Sequence, residues 1–342
     1  MENIRRGNDC KFTFMIGNGF DLNLGMKTRY SDMYDDYIYE PTMIAYIDDF
    51  KETLQKQDPY NKWGDFEIGM SEYAKEFSSE KELVECVRDF KRYLVNYLQE
   101  ESNRLNSVLR EIKNYGPIQN ELYKSLRSFY SKLIPNDIYT IESIIAERPV
   151  EINTITFNYT NCLEWLLSRI QQTPTLSFST PIHIHGRLGE DVVLGVDNLT
   201  QFKNLPYALT KKGKRSFIKT EFNEQYDRAR LEKAKKVLLG SDIICVFGFA
   251  MGKTDQMWVD LIIEWLLQSP NHHLVFFKYD ENKYYRYNSD EIMDIEEENK
   301  LELLGILGIK NEDLLSQIHI PTGFSIFDFE DIRNKMKYLI RQ

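Results

Sequence analysis

Lys11-Phe-Thr-Phe-Met-Ile16 runs directly into Gly17-Asn18-Gly19-Phe20-Asp21. A short, mostly apolar run suits a strand buried on both faces, as at the centre of a parallel sheet. The Gly-x-Gly turn lets backbone amides approach a bound phosphate with no Cβ in the way. Asp21, Leu22 and Leu24 then suit a helix whose positive end adds to the attraction. On this reading a side chain at Gly19 blocks the phosphate. The third glycine of the dinucleotide fingerprint is missing, so a tight strand-to-helix turn with no ligand is the competing reading.

Strand-like runs recur at Ile152–Asn158, with Phe157 ending the strand proper, and at Pro181–His185, Val192–Val196, Ile243–Phe247 and His273–Phe277. Helical patterns lie between most of them, at Cys162–Gln171, Phe217–Leu239 and Thr254–Gln268. The alternation predicts an α/β fold with a Rossmann-like, mostly parallel sheet covered on both faces and ligands at the carboxyl ends of its strands. From about Tyr30 to Lys132 the character is polar and helical. Glu80 to Lys113 keeps apolar residues at Leu83, Val87, Phe90, Leu94, Leu98, Leu105 and Leu109 with no Gly or Pro, which is helical spacing. The expected division is a nucleotide-binding core of residues 1–30 and 150–342 with a helical insertion at 31–149. Glu291–Glu302 reads as an acidic, solvated helix face, and no internal repeat is visible.

The 342 residues, 42% of them hydrophobic, are enough for a large core and too apolar for disorder. No apolar run reaches the roughly 20 residues that span a bilayer, and Met1–Cys10 has no apolar stretch behind its charges. The expected location is therefore the cytoplasm, with no membrane partner. Cys10, Cys86, Cys162 and Cys245 are far apart and form no Cys-x-x-Cys pair, so neither a disulfide framework nor a metal site is expected. A net charge of −10 argues against general nucleic-acid binding. Residues 203–236 disagree locally, with eleven Lys or Arg against four acids. A solvated helical hairpin and a phosphate-binding face are the two explanations.

Four strands end in groups with chemical potential: Gly17–Asp21, Thr156-Phe-Asn158-Tyr-Thr160, His183-Ile-His185-Gly186, and Gly248-Phe249-Ala-Met-Gly252. Singly, each has a plainer explanation. Asn158 could tie its own loop, and His185 could be a satisfied core histidine. His183 and His185, two apart on a strand, share a face, and only the second lies at the strand end beside a glycine. His185 is therefore read as the catalytic one and His183 as its support.

In this order the four groups resemble the NAD-binding core of the Sir2 superfamily. The resemblance implies that Asn158 sits by the nicotinamide-side ribose and that His185 is the base. Gly17, Asn18, Gly19 and Gly248 would hold the pyrophosphate and adenosine end. With the flanking Phe20 and Asp21, then Gly25, Thr28, Tyr30, Trp63, Asp65, Glu67, Thr156, Gly186, Phe249, Met251 and Asp255, the chain resembles the AbiH family of bacteriophage abortive-infection proteins, from Ile16 to Trp258. That resemblance implies an NAD-directed activity in phage defence. Two departures matter. Thr160 stands where the Sir2 Thr-x-Asn-x-Asp motif has its carboxylate, with Asp21, Asp65, Glu67 and Asp255 as candidate replacements, and the four-cysteine zinc module is absent. Trp63, Asp65 and Glu67 also fit a helix start.

The expectation is an NAD+ glycohydrolase with NAD as substrate, no metal, and Phe20, Phe157 and Phe249 drying the pocket. The rivals are a non-catalytic NAD or ADP-ribose sensor and a nucleic-acid-directed effector. Homo-oligomerisation and a phage-derived trigger are left open as partners.

Overall fold

The computed structural model describes residues 9–56, 66–112, 115–278, 289–309, 312–321, 326–327 and 329–339. Seven strands form one sheet: β1 (Cys10–Ile16), β2 (Val150–Thr156), β3 (Leu176–Phe178), β4 (Ile182–His183), β5 (Ile243–Phe247), β6 (His273–Phe277) and β7 (Ile318–His319). The order is β3-β2-β1-β5-β6-β7, with β4 pairing β2 beyond β3, and every pairing is parallel. After β1 the chain proceeds to β2 on one side, and it later returns to β5 on the other. The carboxyl ends of β1 and β5 therefore form a switch point, where such sheets open a crevice.

Seven helices separate β1 from β2: α1 (Gly19–Asn23), α2 (Tyr30–Tyr39), α3 (Ala45–Lys56), α4 (Phe66–Tyr73), α5 (Glu80–Glu111), α6 (Gly116–Arg127) and α7 (Pro135–Ile145). These are the helices of the described residues. The 32-residue α5 starts where Ser79 accepts a hydrogen bond from the Glu82 amide, and its buried residues include Leu83, Val87, Phe90, Leu94 and Leu98. Further on lie α8 (Cys162–Leu167), α9 (Lys211–Phe217), α10 (Lys219–Tyr226), α11 (Arg228–Leu239), α12 (Gln256–Gln268), α13 (Ser289–Leu307) and α14 (Glu330–Leu339).

Alternation along the strands builds a core on each face. Phe12, Phe14 and Ile16 join Phe129 and Leu105 on one side, while Met15, Ile155, Ile244 and Val246 join Trp265 and Leu238 on the other. A third, aromatic cluster ties α2, α4 and α5 together, with Phe66 stacked on Phe90 at 3.5 Å.

Two expectations fail. Val192–Val196 is not a strand of the sheet. Its Val192, Leu194 and Val196 are buried in the aromatic cluster of the helical layer, so its apolar character comes from that packing. Phe217–Leu239 is not one helix but the end of α9 followed by α10 and α11. The Val196 amide donates to the Phe217 carbonyl (3.0 Å) and the Lys219 amide to the Val196 carbonyl (2.9 Å), which forces Ile218 into extended geometry. Asp227 makes the second break and caps α11 through the Arg230 amide. No described helix is long and apolar enough to cross a membrane.

Candidate active site

The turn after β1 is locked to the turn after β5. Gly17 N–H donates to Phe247 O (3.0 Å), Gly19 N–H to Gly248 O (3.1 Å) and Phe20 N–H to Gly17 O (3.0 Å). A Cβ on Gly17 would lie 2.4 Å from Gly248 O, and one on Gly19 would lie 2.5 Å from Gly248 Cα. The glycines are thus demanded by close approach of two backbones, with Gly248 itself at φ +65°. Three of the turn's amides are spent on protein carbonyls, and a side chain at Gly19 would strike Gly248, so these glycines have a reason that needs no ligand. Asn18 is also committed, donating to Thr28 O (3.0 Å) and accepting from Thr28 Oγ1 (2.5 Å). Phe20 points away into the core, edge-on to Phe327 and Phe329.

At the end of β2, Thr156 is buried and its Oγ1 accepts from the Asn158 amide (3.2 Å). The Asn158 carbonyl takes the His183 Nδ1 proton (2.9 Å), and His183 Nε2 lies 2.6 Å from Glu164, which also binds Arg187. Both His183 nitrogens face acceptors, so this ring braces the loop. The Asn158 side chain differs: it is only 7% exposed, and neither amide atom has a hydrogen-bond partner among the described residues. Beside it, Asp21 accepts from Thr160 Oγ1 (2.7 Å) through one oxygen, while the other has no partner. Burial raises this carboxyl to about 6, opposed by Thr160, by the neighbouring Asn158 side chain and by His183. Asp21 is therefore the carboxylate next to Asn158 and Thr160.

The chain turns immediately after β4, so His185 lies beyond the strand and faces a different partner from His183. Its Nε2 is 3.1 Å from Asp255 Oδ1. The same oxygen is 3.1 Å from Lys219 Nζ, which is 2.8 Å from Glu67 Oε2. Lys219 also donates to Thr254 O (3.2 Å), and Glu67 accepts from the Gly195 amide (3.1 Å). Burial, helped by Lys219, lowers the His185 pKa and favours the neutral ring. Burial acts against the Asp255 charge, but Lys219 and His185 outweigh it and hold that carboxyl below its ordinary range. Glu67 is pushed up to about 7 by burial, with Lys219 opposing and Asp255 adding to the rise. Phe157 stacks on Phe249 at 3.7 Å and meets His185 edge-on. Gly186, at φ +71°, is needed because a Cβ there would fall 1.6 Å from Asp191 O.

These groups border one cavity of about 330 Å³ at the switch point. Of the residues expected from sequence, Gly17, Asn18, Asp21, Thr28, Tyr30, Asn158, His185, Gly248, Phe249 and Asp255 line it; Gly19, Phe20, Thr156 and Gly186 do not. Glu67 lines it too, whereas Trp63 and Asp65 lie outside the described residues. Sequence reasoning gave no site role to Lys219, Arg29, or Leu94 and Leu98 from α5, and it quoted Tyr159 and Thr160 only as part of the Asn158 motif. Lys219 was hidden in a segment dense in lysine. Only its neighbours Phe217 and Ile218 hinted that the chain turns inward there. Among the described residues no cluster of three or more His, Cys, Asp or Glu could hold a metal, and all four cysteines are buried and free.

A parallel sheet with a cavity at its switch point defines a Rossmann-like α/β protein whose candidate site is that cavity. The family described as "Bacteriophage abortive infection AbiH" matches residues 13–278, and the chain belongs to it. No curated protein matches the sequence.

Proposed function

We propose that this protein is a Sir2-like NAD+ glycohydrolase, cutting the nicotinamide–ribose bond, and that it serves the phage abortive infection to which its family points. The observation that carries the reading is the Asn158 amide. It lines the cavity, is buried, and has neither its donor nor its acceptor used, a cost that a ligand with both kinds of group removes. Ribose hydroxyls are such groups, as is a water waiting beside the ribose.

The chemistry follows from the other residues. Nicotinamide leaves a pyridinium, so it departs neutral with the electrons of the C1′–N bond and needs no general acid. The sugar passes through an oxocarbenium-like state, which nearby carboxylates favour. Asp21 and Asp255 supply negative charge, Asn158 orients the ribose or the attacking water, and His185 accepts the water's proton as oxygen joins C1′. With Nε2 directed at Asp255, Nδ1 is the nitrogen that takes this proton. The site's acidity suits a cationic substrate ring. The pyrophosphate suits Arg29, which lines the cavity at the start of α2, is exposed, and has no carboxylate in ion-pair range among the described residues.

Nicotinamide release by purified protein tests the proposal. His185→Ala should cut turnover by roughly 10²- to 10⁴-fold while NAD binding, followed by calorimetry, persists. Binding without release by the wild-type protein, in infected-cell lysate as well as in buffer, would replace the hydrolase with a sensor. Absence of any nucleotide binding would remove both.

A further inference from the structure

His185 is faced by charged groups from several elements. Asp255 stands just before α12, Lys219 opens α10, Arg230 on α11 acts at longer range, and Glu67 on α4 reaches it through Lys219. The rings of Phe157 and Tyr159 lie 5.5 and 6.3 Å from its own, and His185 also borders the cavity. Lys219, Glu67 and His185 are each about 5% exposed, so this is a chain of charge shielded from water. An ammonium between two carboxylates leaves one surplus negative charge when His185 is neutral. Its position decides how the imidazole is held.

We propose that Lys219 is a positioning residue for the catalytic base: clamped between Glu67 and Asp255, it holds Asp255 as the acceptor of the His185 Nε2 proton and keeps Nδ1 unprotonated toward the substrate. The proposal rests on His185 being the base of the NAD+ glycohydrolase reading. It also gives α4 a part in the chemistry, because Glu67 fixes the far side of the ammonium while its other oxygen is held by the Gly195 amide.

The charge arithmetic yields two variants with opposite consequences. Lys219→Met leaves two buried carboxylates without their cation, and the nearest group able to compensate Asp255 is His185, by becoming an imidazolium. Glu67→Gln, nearly the same shape, removes one carboxylate and gives Lys219 wholly to Asp255, which disfavours the imidazolium. The acidic limb of the kcat profile for nicotinamide release should therefore move up by a pH unit or more in Lys219→Met. It should move down in Glu67→Gln, with KM for NAD little changed in both. A role confined to folding predicts lost activity without opposite displacements.

The imidazole can be watched without substrate. In ¹⁵N-edited spectra that report histidine tautomers, His185→Gln identifies the His185 signals among the five histidines. The wild-type protein at pH 7.5 should show the Nε2-protonated neutral ring, and Lys219→Met the imidazolium. Should Lys219→Met fail to fold, Glu67→Gln alone decides: its imidazolium should appear only at lower pH than in the wild type. A wild-type Nδ1–H tautomer, an unchanged titration in the folded variants, or shifts in the same direction would overturn the proposal. These spectra read His185 even if no nicotinamide is released, so failure of the hydrolase reading and failure of the clamp are told apart.

Discussion

Replacing Asp21 with Asn removes a buried charge while keeping nearly the same shape. The carboxyl is 2% exposed, one oxygen accepts from Thr160 and the other has no partner. Its raised pKa, about 6 against an ordinary 3.8, means that the folded state prefers the protonated form. For an acid shifted this way, the favourable contribution is complete below the unfolded value near 4 and is lost as pH rises through about 6. A gap of roughly two units corresponds to about 3 kcal/mol of destabilisation at pH 8. Asp21→Asn, neutral throughout, should recover much of that at pH 8, less whatever the new amide donors cost, and should gain only about a third as much at pH 4.5, which lies just above the unfolded value. Denaturant midpoints at the two pH values measure the difference. The reasoning is refuted if the variant is less stable than wild type at pH 8, or if the gain is the same at both. Nicotinamide release should fall in this same variant, because the carboxylate beside Asn158 is lost. Stability and turnover moving in opposite directions would distinguish a functional charge from a structural one.

Gly19→Ala should destabilise the fold by about 2 kcal/mol or more, because its Cβ meets the Gly248 backbone at 2.5 Å. Gly252→Ala, at a cavity-lining glycine whose Cβ would meet nothing within 4 Å, should leave the denaturation midpoint unchanged. Equal effects of the two would discount the packing argument. Arg29→Gln should raise KM for NAD by about 10- to 100-fold, the worth of a charge-assisted hydrogen bond to phosphate, while leaving cleavage of nicotinamide riboside, which has no phosphate, unaltered. A parallel loss on both substrates would place the phosphates elsewhere.

The central strands were legible because each is a short apolar run closed by punctuation: β1 by Gly17, β5 by Gly248, β2 by Asn158. The two strands not foreseen, β3 and β7, have three residues and two, too few to make a period. Val192–Val196 misled because burial against the helical layer produces the same composition as burial in a sheet. The break at Ile218 depends on hydrogen bonds to Val196, more than twenty positions earlier, and no local pattern carries that information. Lys219 was lost for the same reason, since the break turns it from solvent toward Glu67 and Asp255. The strand-end residues were easier: a parallel sheet delivers Gly17, Asn158 and Gly248 to one edge whatever the loops do. Which of them touch the cavity depended on side-chain direction, and that sent Phe20 into the core.

A second buried polar cluster shows why the pocket reads as a place for chemistry. His273 Nδ1 meets His319 Nε2 at 2.8 Å, His319 Nδ1 lies 2.8 Å from Asp137, and Lys300 lies 2.9 Å from Glu296 and 3.6 Å from Asp137. Each of these groups has a partner of complementary character, and together they join β6, β7, α7 and α13, so the arrangement is explained by the fold it stabilises. In the pocket, Asn158 has neither atom paired and Asp21 keeps an oxygen without a partner. Packing alone gives no reason to tolerate such costs, because apolar residues of similar volume would remove them. Polar groups that the fold itself leaves unpaired are what the hydroxyls and developing positive charge of the proposed substrate can satisfy, so Asn158 and Asp21 fit that reading in a way that the second cluster does not.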